Sequence, residues 1–353
     1  MKRKDKILIC YNSPVSIFPV YNGKPNEERT EAYDLSETSF AEEIKIIEES
    51  LKTHFEEVNS IAINKNVRRT ISLIEQAAPD AIFNFVESVE GVSQFESYTA
   101  GLFELLGYQF TGNKAQCLGN CLNKYKAKLI LAANGISTPR AASVRIENPH
   151  ALENINLDYP VILKLLTEDA SIGISEFSVV NNIVELKKQY EFLKNTYGQD
   201  IIIEEFIDGR ELNVAILGGK VLPISEIIFT GLPENLPKIV TYDGKWIADS
   251  VYYENTKPQC PAQLDEGLKA IAEKTALTSF NAMGCRDYAR VDIRINKQGA
   301  PFVIEVNPNP DISTDSGFAR AAAAAGISHS DLLLNIAEFA LNRKGNVAQI
   351  KAG

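Results

Sequence analysis

The segment YARVDIRI (288–295), the turn NKQG and the segment APFVIEVN (300–307) constrain the fold more than any other stretch of the chain. Side chains alternate faces along a strand. A hairpin here therefore sends Val291, Ile293 and Ile295, with Phe302, Ile304 and Val306, to a shared core face. Arg290, Asp292, Glu305 and Asn307 are left together on the opposite face. Asp292, Glu305 and Asn307 are hard oxygen donors of the kind Mg²⁺ takes beside substrate phosphates, and a guanidinium suits a phosphoryl group or a developing oxyanion. Taken alone, the pattern also describes a solvated sheet face with ion pairs worth at most ~1 kcal/mol each. The turn Pro308-Asn309-Pro310-Asp311 weighs against that, because it fixes loop backbone directly beside the donors.

Around this ribbon, strands and helices alternate, which predicts an α/β chain with a parallel sheet at its start. Residues 6–10 form a first strand, 22–38 a long polar loop, and Ser39 with Glu42 a capping box. Phe40, Ile44, Ile47 and Leu51 follow at helical spacing. Strands at 58–63 and 81–86 and a helix at 95–106, closed by Gly107, complete a unit that ends near Thr111-Gly112-Asn113. A second unit begins with one helix over 121–134, stopped by Gly135. It continues with a strand at 160–164, a small-residue loop at 167–173, a strand at 176–180, a helix at 182–194 and a strand at 200–207. A third holds a hairpin over 211–227 turning at Gly218-Gly219, an irregular stretch 231–260, a helix at 263–282 and the ribbon. An Ala-rich helix ending at Gly326 and a last helix near 331–342 follow. The expected domains are 1–118, 119–209 and 210–345.

With 353 residues, of which 45% are apolar and 23% charged, the chain has ordinary globular proportions and room for two or three domains. Its 36 basic and 46 acidic residues give −10, a poor match for nucleic acid or an anionic membrane, although a local basic pocket for one small polyanion stays possible. No run approaches the ~18–20 apolar residues of a membrane span. Five cysteines without framework spacing read as reduced thiols of a cytoplasmic protein. Cys117 and Cys121 share one helical face and admit two readings, a metal pair or small buried residues.

Lys164 closes an apolar strand just before the loop 167–173, whose Gly and Ser can approach a phosphate through backbone N–H groups. Neither a G-x-x-x-x-G-K-[ST] nor a G-x-G-x-x-G pattern occurs. Glu204, Glu205, Phe206 and Ile207 end a strand, and Glu211 follows a Gly-Arg turn; this suits a purine sandwich with ribose contacts, or an ordinary strand end.

The order Lys124, Lys164, loop 167–173, IIIEEFIDGREL, RVDIRI, FVIEVNPNPDIS resembles the ATP-grasp superfamily, and within it the D-alanine:D-alanine ligase branch. FELLGYQFTGN, NGISTPR and GISHSDLL are similar to that branch too. The resemblance spans about Asn84 to Asn342. It implies an ATP-grasp fold behind an N-terminal parallel-sheet domain, with ATP between two small antiparallel sheets. Lys124 and Lys164 would contact phosphates, Glu204, Phe206 and Ile207 would line the adenine pocket, and Glu211 would bind ribose. Asp292, Glu305 and Asn307 would hold Mg²⁺ (or Mn²⁺). Arg290 would stabilise an acyl phosphate and tetrahedral intermediate, and Lys245 would close over the γ-phosphate. Such ligases activate a carboxylate with ATP and let an amine displace phosphate; homodimers are usual among them.

The sequence departs from that branch around the amino-acid pocket. Residues 11–30 bear no likeness to its glycine-rich turn with a glutamate. Ala170 stands in place of a substrate-site serine, with Ser171 next to it. Trp246 replaces a tyrosine, and Asp311 replaces a glycine of the oxyanion hole. The expectation is a carboxylate–amine ligase for amino acids or related small molecules, with Glu87, Glu90, Trp246, Asp311, Ser316 and Arg320 as substrate contacts and Ser171 beside the reaction. The alternatives are a non-catalytic ATP binder, a D-alanine:D-alanine ligase with a divergent pocket, or a bicarbonate-using relative.

Overall fold

A computed structural model of the protein describes residues 2–13, 15–24, 35 and 40–351. The loop expected over 22–38 and the capping box at Ser39 fall largely outside these residues. Three sheets organise the rest.

The first is parallel, with β1 (Arg3–Asn12) between β2 (Phe55–Ile63) and β3 (Ala81–Phe85). Its central strand is apolar on both faces, as a parallel strand covered on both sides must be. Ile7 and Ile9 enter one core with Ile44, Ile47 and Leu51 of α1 (Phe40–His54), whereas Leu8 and Cys10 enter another with Ile74 and Phe103. The latter two come from α2 (Val67–Ala77) and α3 (Phe95–Leu105). Gly107, at φ 77°, ends α3: its N–H and that of Tyr108 turn back to the carbonyls of Glu104 and Phe103.

One helix over 121–134 is not what forms. α4 (Ala115–Leu122) and α5 (Lys124–Ala133) are separated at Asn123, whose backbone is extended and whose Oδ1 accepts Lys126 N–H at 2.9 Å. An asparagine that caps rather than continues a helix is the cause. Lys124 thereby becomes the first residue of a helix, and its N–H donates to Leu166 O.

The second sheet is antiparallel, in the order β4 (Ala141–Val144), β7 (Ile201–Glu205), β5 (Val161–Leu165), β6 (Val179–Val180). Residues 176–178, expected in a strand, form a short 3₁₀ turn capped by Ser175. α6 (Ile183–Tyr197) packs Leu186, Tyr190 and Leu193 on Leu163 and Ile203. The other face of the sheet carries Ile162, Lys164 and Glu204.

In the third sheet the order is β11 (Lys257–Gln259), β10 (Ser225–Ile228), β8 (Gly209–Leu217), β12 (Tyr288–Asn296), β13 (Pro301–Asn307), with β9 (Lys220–Val221) on β8. The stretch 231–260, read as irregular, contains α7 (Tyr242–Trp246), α8 (Val251–Asn255) and β11. Ala272, Ala276 and Phe280 of α9 (Glu266–Ala282) cover one face.

The ribbon departs from strict alternation once. Register runs from Asp292↔Glu305 to Ile293↔Val303, leaving Ile304 as an extra residue on β13. Such a bulge re-aims every side chain beyond it. Val303 and Val306 therefore enter the core, while Phe302 and Ile304, expected there, remain half-buried.

Two helices, α10 (Gly317–Ala324) and α11 (His329–Lys351), bring the chain back to its start. Leu332, Leu333, Ile336 and Ala337 of α11 share the core of Ile7, Ile9 and Phe83.

Candidate active site

The uncovered faces of the second and third sheets, with loops from the first, line one cavity of about 770 Å³. Alternation determines what they show. On β12 the residues between the core valine and isoleucines are Arg290, Asp292 and Arg294; on β8 they are Glu211 and Asn213.

Asp292 is the best-satisfied carboxylate of the cavity. Arg290 donates to it twice, Nε to Oδ1 at 2.8 Å and Nη2 to Oδ2 at 2.9 Å. Asn213 Nδ2 donates to Oδ1 at 2.8 Å and Asn307 Nδ2 to Oδ2 at 3.0 Å. Across the ribbon, Glu305 Oε1 lies 2.9 Å from Lys124 Nζ, which also reaches Asp169 Oδ1 at 3.0 Å. Burial opposes ionisation of Glu305, but Lys124, Lys164 and Arg290 together hold its carboxyl down at about 2. The same partners, Asp169 and Glu305, keep Lys124 firmly protonated despite its burial.

Lys164 pairs with Glu204 at 3.1 Å, and Lys128 meets the other oxygen of Glu204 at 3.4 Å. Burial pushes the Lys128 ammonium down to about 8. Lys245, on α7, has no ion-pair partner among the described residues. Burial, reinforced by Arg290, lowers its affinity for a proton.

Beyond these cations the wall turns apolar. Ile162, Phe206, Ile207 and Ile239 line it, with Glu211 at its rim. Arg294 stacks 5.1 Å from the Phe206 ring centroid and donates to Glu211 Oε2 at 2.5 Å and Ile207 O at 3.1 Å. A buried arginine thus braces the patch expected to take a purine.

Loop 167–173 and the stretch 231–260 meet over the cavity. Trp246 Nε1 donates to Ala170 O at 3.2 Å, and Ser171 Oγ donates to Val240 O at 3.0 Å. Ala170 and Ser171 both adopt left-handed backbone, at φ 54° and 61°. Ser171 here joins the two loops.

At the far end the lining is acidic: Glu43, Glu87, Glu96, Asp311 and Asp315, with Ser316 and Arg320. Burial, then Asp169 and Glu87, pushes the Glu96 carboxyl well up, and burial with Asp315 and Asp311 nearby raises Glu43. Ser316 Oγ caps α10 by accepting Ala319 N–H at 3.1 Å, and Arg320 Nη1 donates to Asp315 O at 3.0 Å. The turn 308–311 is fastened to the first sheet's exit, since Asn309 Oδ1 accepts Asn113 N–H at 3.0 Å. A Cβ on Gly112 would sit 2.4 Å from that same oxygen, so only glycine allows the approach.

Of the residues expected from sequence, Glu90 alone does not line the cavity. It turns outward through a left-handed backbone, φ 51°, to Lys65 Nζ at 2.8 Å. Sequence reading missed Lys128, Asn213, Arg294, Glu43 and Glu96. Arg294 lay within reach, two residues beyond Asp292 on the same face. The others come from segments with no local mark.

Asp292, Glu305 and Asn307 supply the hard oxygen donors that Mg²⁺ prefers, ringed by cations suited to a polyphosphate, so the donor chemistry fits that ion.

The chain is similar to several known proteins. Residues 132–338 match the family described as D-ala D-ala ligase C-terminus. A D-alanine–D-alanine ligase of Nitrosospira multiformis is 30% identical over 236 residues, 67% of this chain and 72% of that one. An uncharacterized protein of Sinorhizobium fredii is 32% identical over 263 residues, 74% and 75% of the two chains. Among solved structures, a D-alanine–D-alanine ligase from Bacillus anthracis complexed with ATP aligns over 98% of this chain and 99% of its own, with TM-score 0.71 and 25% identity.

Proposed function

Because the chain belongs to the D-Ala-D-Ala ligase family of ATP-grasp proteins, we propose that it is an ATP-dependent ligase. It joins the carboxylate of one amino acid, or similar small acid, to the amine of another, and releases ADP and phosphate. One observation carries the reading most: one face of the ribbon presents Asp292 hydrogen-bonded by Arg290 and Asn307 and, beside it, Glu305 paired with Lys124.

Each part has a task. A carboxylate is a poor electrophile until one oxygen becomes a leaving group, and phosphoryl transfer from ATP makes it one. Such transfer depends on positioning and on neutralising charge. Lys124 and Lys164 hold the phosphates, and Lys245, without an ion-pair partner among the described residues, meets the γ-phosphate. Asp292, Glu305 and Asn307 would hold Mg²⁺, which when bound neutralises the triphosphate. Phe206 and Ile207 take the adenine and Glu211 the ribose. Arg290, already oriented by Asp292, faces the acyl phosphate and the oxyanion formed when the amine attacks. The latch between residues 170–171 and 240–246 keeps water from the intermediate.

The acidic end favours the amine side of the reaction. Asp311 and Asp315 repel a second carboxylate and attract an ammonium, which must shed a proton before attack. A second substrate of basic character suits this end better than plain D-alanine.

Phosphate release measured over pairs of amino acids and small amines, with mass spectrometry of the product, tests the proposal. A condensed product formed with stoichiometric ADP is expected. ATP binding with no substrate-dependent ADP would reduce the protein to a nucleotide binder.

A further inference from the structure

Behind the nucleotide wall lies a second cluster that this chemistry does not use. Cys117 and Cys121 are one turn apart on α4, and folding brings Cys285 to them from the loop between α9 and β12. Cys117 Sγ and Cys285 Sγ are 3.6 Å apart, and all three sulfurs lie within 4.8 Å of one another. A single ion fits ~2.3 Å from each of three sulfurs so spaced. The first two cysteines are buried and the third half-buried. We propose that Cys117, Cys121 and Cys285 bind one thiolate-seeking cation of the Zn²⁺ class, with water as fourth ligand.

The surroundings are prepared for it. The loop bearing Cys285 is fixed before any ion arrives. Arg286 N–H donates to Asn113 Oδ1 at 2.7 Å, Arg286 Nε to Gly112 O at 2.6 Å, and Gly112 N–H to Asp287 Oδ2 at 2.9 Å. Ligands held by their neighbours are what a metal site needs. Among the described residues no carboxylate or imidazole joins the sulfurs, which selects soft cations over Mg²⁺. Binding is balanced by release of the thiol protons to solvent. The ion would staple α4, two residues before Lys124, to the entry of the ribbon, so it is a structural site outside the nucleotide wall. It stands whether or not the ligase reading holds.

The full chain, stripped by chelator under reductant, is titrated with Co²⁺ and then Zn²⁺. One equivalent of Co²⁺ should give a near-ultraviolet thiolate charge-transfer band, which Zn²⁺ abolishes. Cys285→Ser should weaken Zn²⁺ binding by about tenfold or more. Cys260→Ser, whose thiol donates to Pro223 O elsewhere, should leave binding unchanged. In the unaltered protein Zn²⁺ should also protect these three thiols from alkylation, mapped by peptide mass spectrometry. Absence of the band, or equal alkylation with and without Zn²⁺, overturns the proposal even if a variant fails to fold.

Discussion

The two ends of the cavity are charged in opposite styles. On the ribbon, every anion has its cation in place: Asp292 receives four hydrogen bonds and Glu305 holds Lys124. At the acidic end, carboxylates crowd carboxylates, and burial pushes Glu43 and Glu96 toward the protonated form. The first arrangement is ready to exchange partners with a metal–polyphosphate at little reorganisation cost. The second is relieved only by a positive guest. A ligase needs both, one wall common to every ATP user and one that distinguishes its substrates.

Substitutions can break that contrast. Glu305→Gln preserves shape and removes an anion, and should lower kcat by about 10³-fold or more in ADP-release assays; undiminished turnover would move the reaction off the ribbon. Arg290→Lys forfeits the paired donation to Asp292 and should cost about 10²-fold in kcat, with KM for ATP changed far less. A change confined to KM would make Arg290 a mere binding group. Asp311→Gly should alter the ratio of kcat/KM between basic and neutral amines by about tenfold, with ATP affinity held within about twofold. Collapse of ATP affinity would instead merge the two ends into one.

The smallest effect concerns pH. Lys128 loses its proton near pH about 8 in the folded chain because it is buried, whereas an unfolded lysine holds it to ~10.4. Between these values the unfolded chain binds more protons, so stability should rise with pH across that window; the cost of the charged Lys128 is fully present below it. Lys128→Met should remove this component. Urea midpoints that keep a constant gap between variant and parent from pH 8 to 10 would contradict the assignment.

Much of the ribbon wall was legible because a strand repeats every two residues. Arg290, Asp292, Glu305 and Asn307 share a face for that reason alone, and the face survives the bulge because the bulge falls at Ile304, after Asp292 and Glu305 have paired. The misplacement of Phe302 and Ile304 shows what periodicity cannot foresee, an inserted residue with no sequence signature. Asn123 hid a helix break, since asparagine occurs within helices as well as at their caps. The acidic end was hardest to foresee. Glu43 lies on α1 and Glu96 on α3, and only the three-dimensional return of the chain sets them beside Asp311 and Asp315. The cysteine trio depended on the same kind of return, since Cys285 lies 164 positions (285 − 121) beyond Cys121.

Helix α11 closes part of the core of the first strand, and this has a consequence for how the molecule is made. Ile7, Ile9 and Phe83 share their core with α1 from nearby sequence but also with Leu332, Leu333, Ile336 and Ala337. A fragment lacking residues 329–341 leaves that side bare, so the first sheet draws part of its stability from chain synthesised long after it.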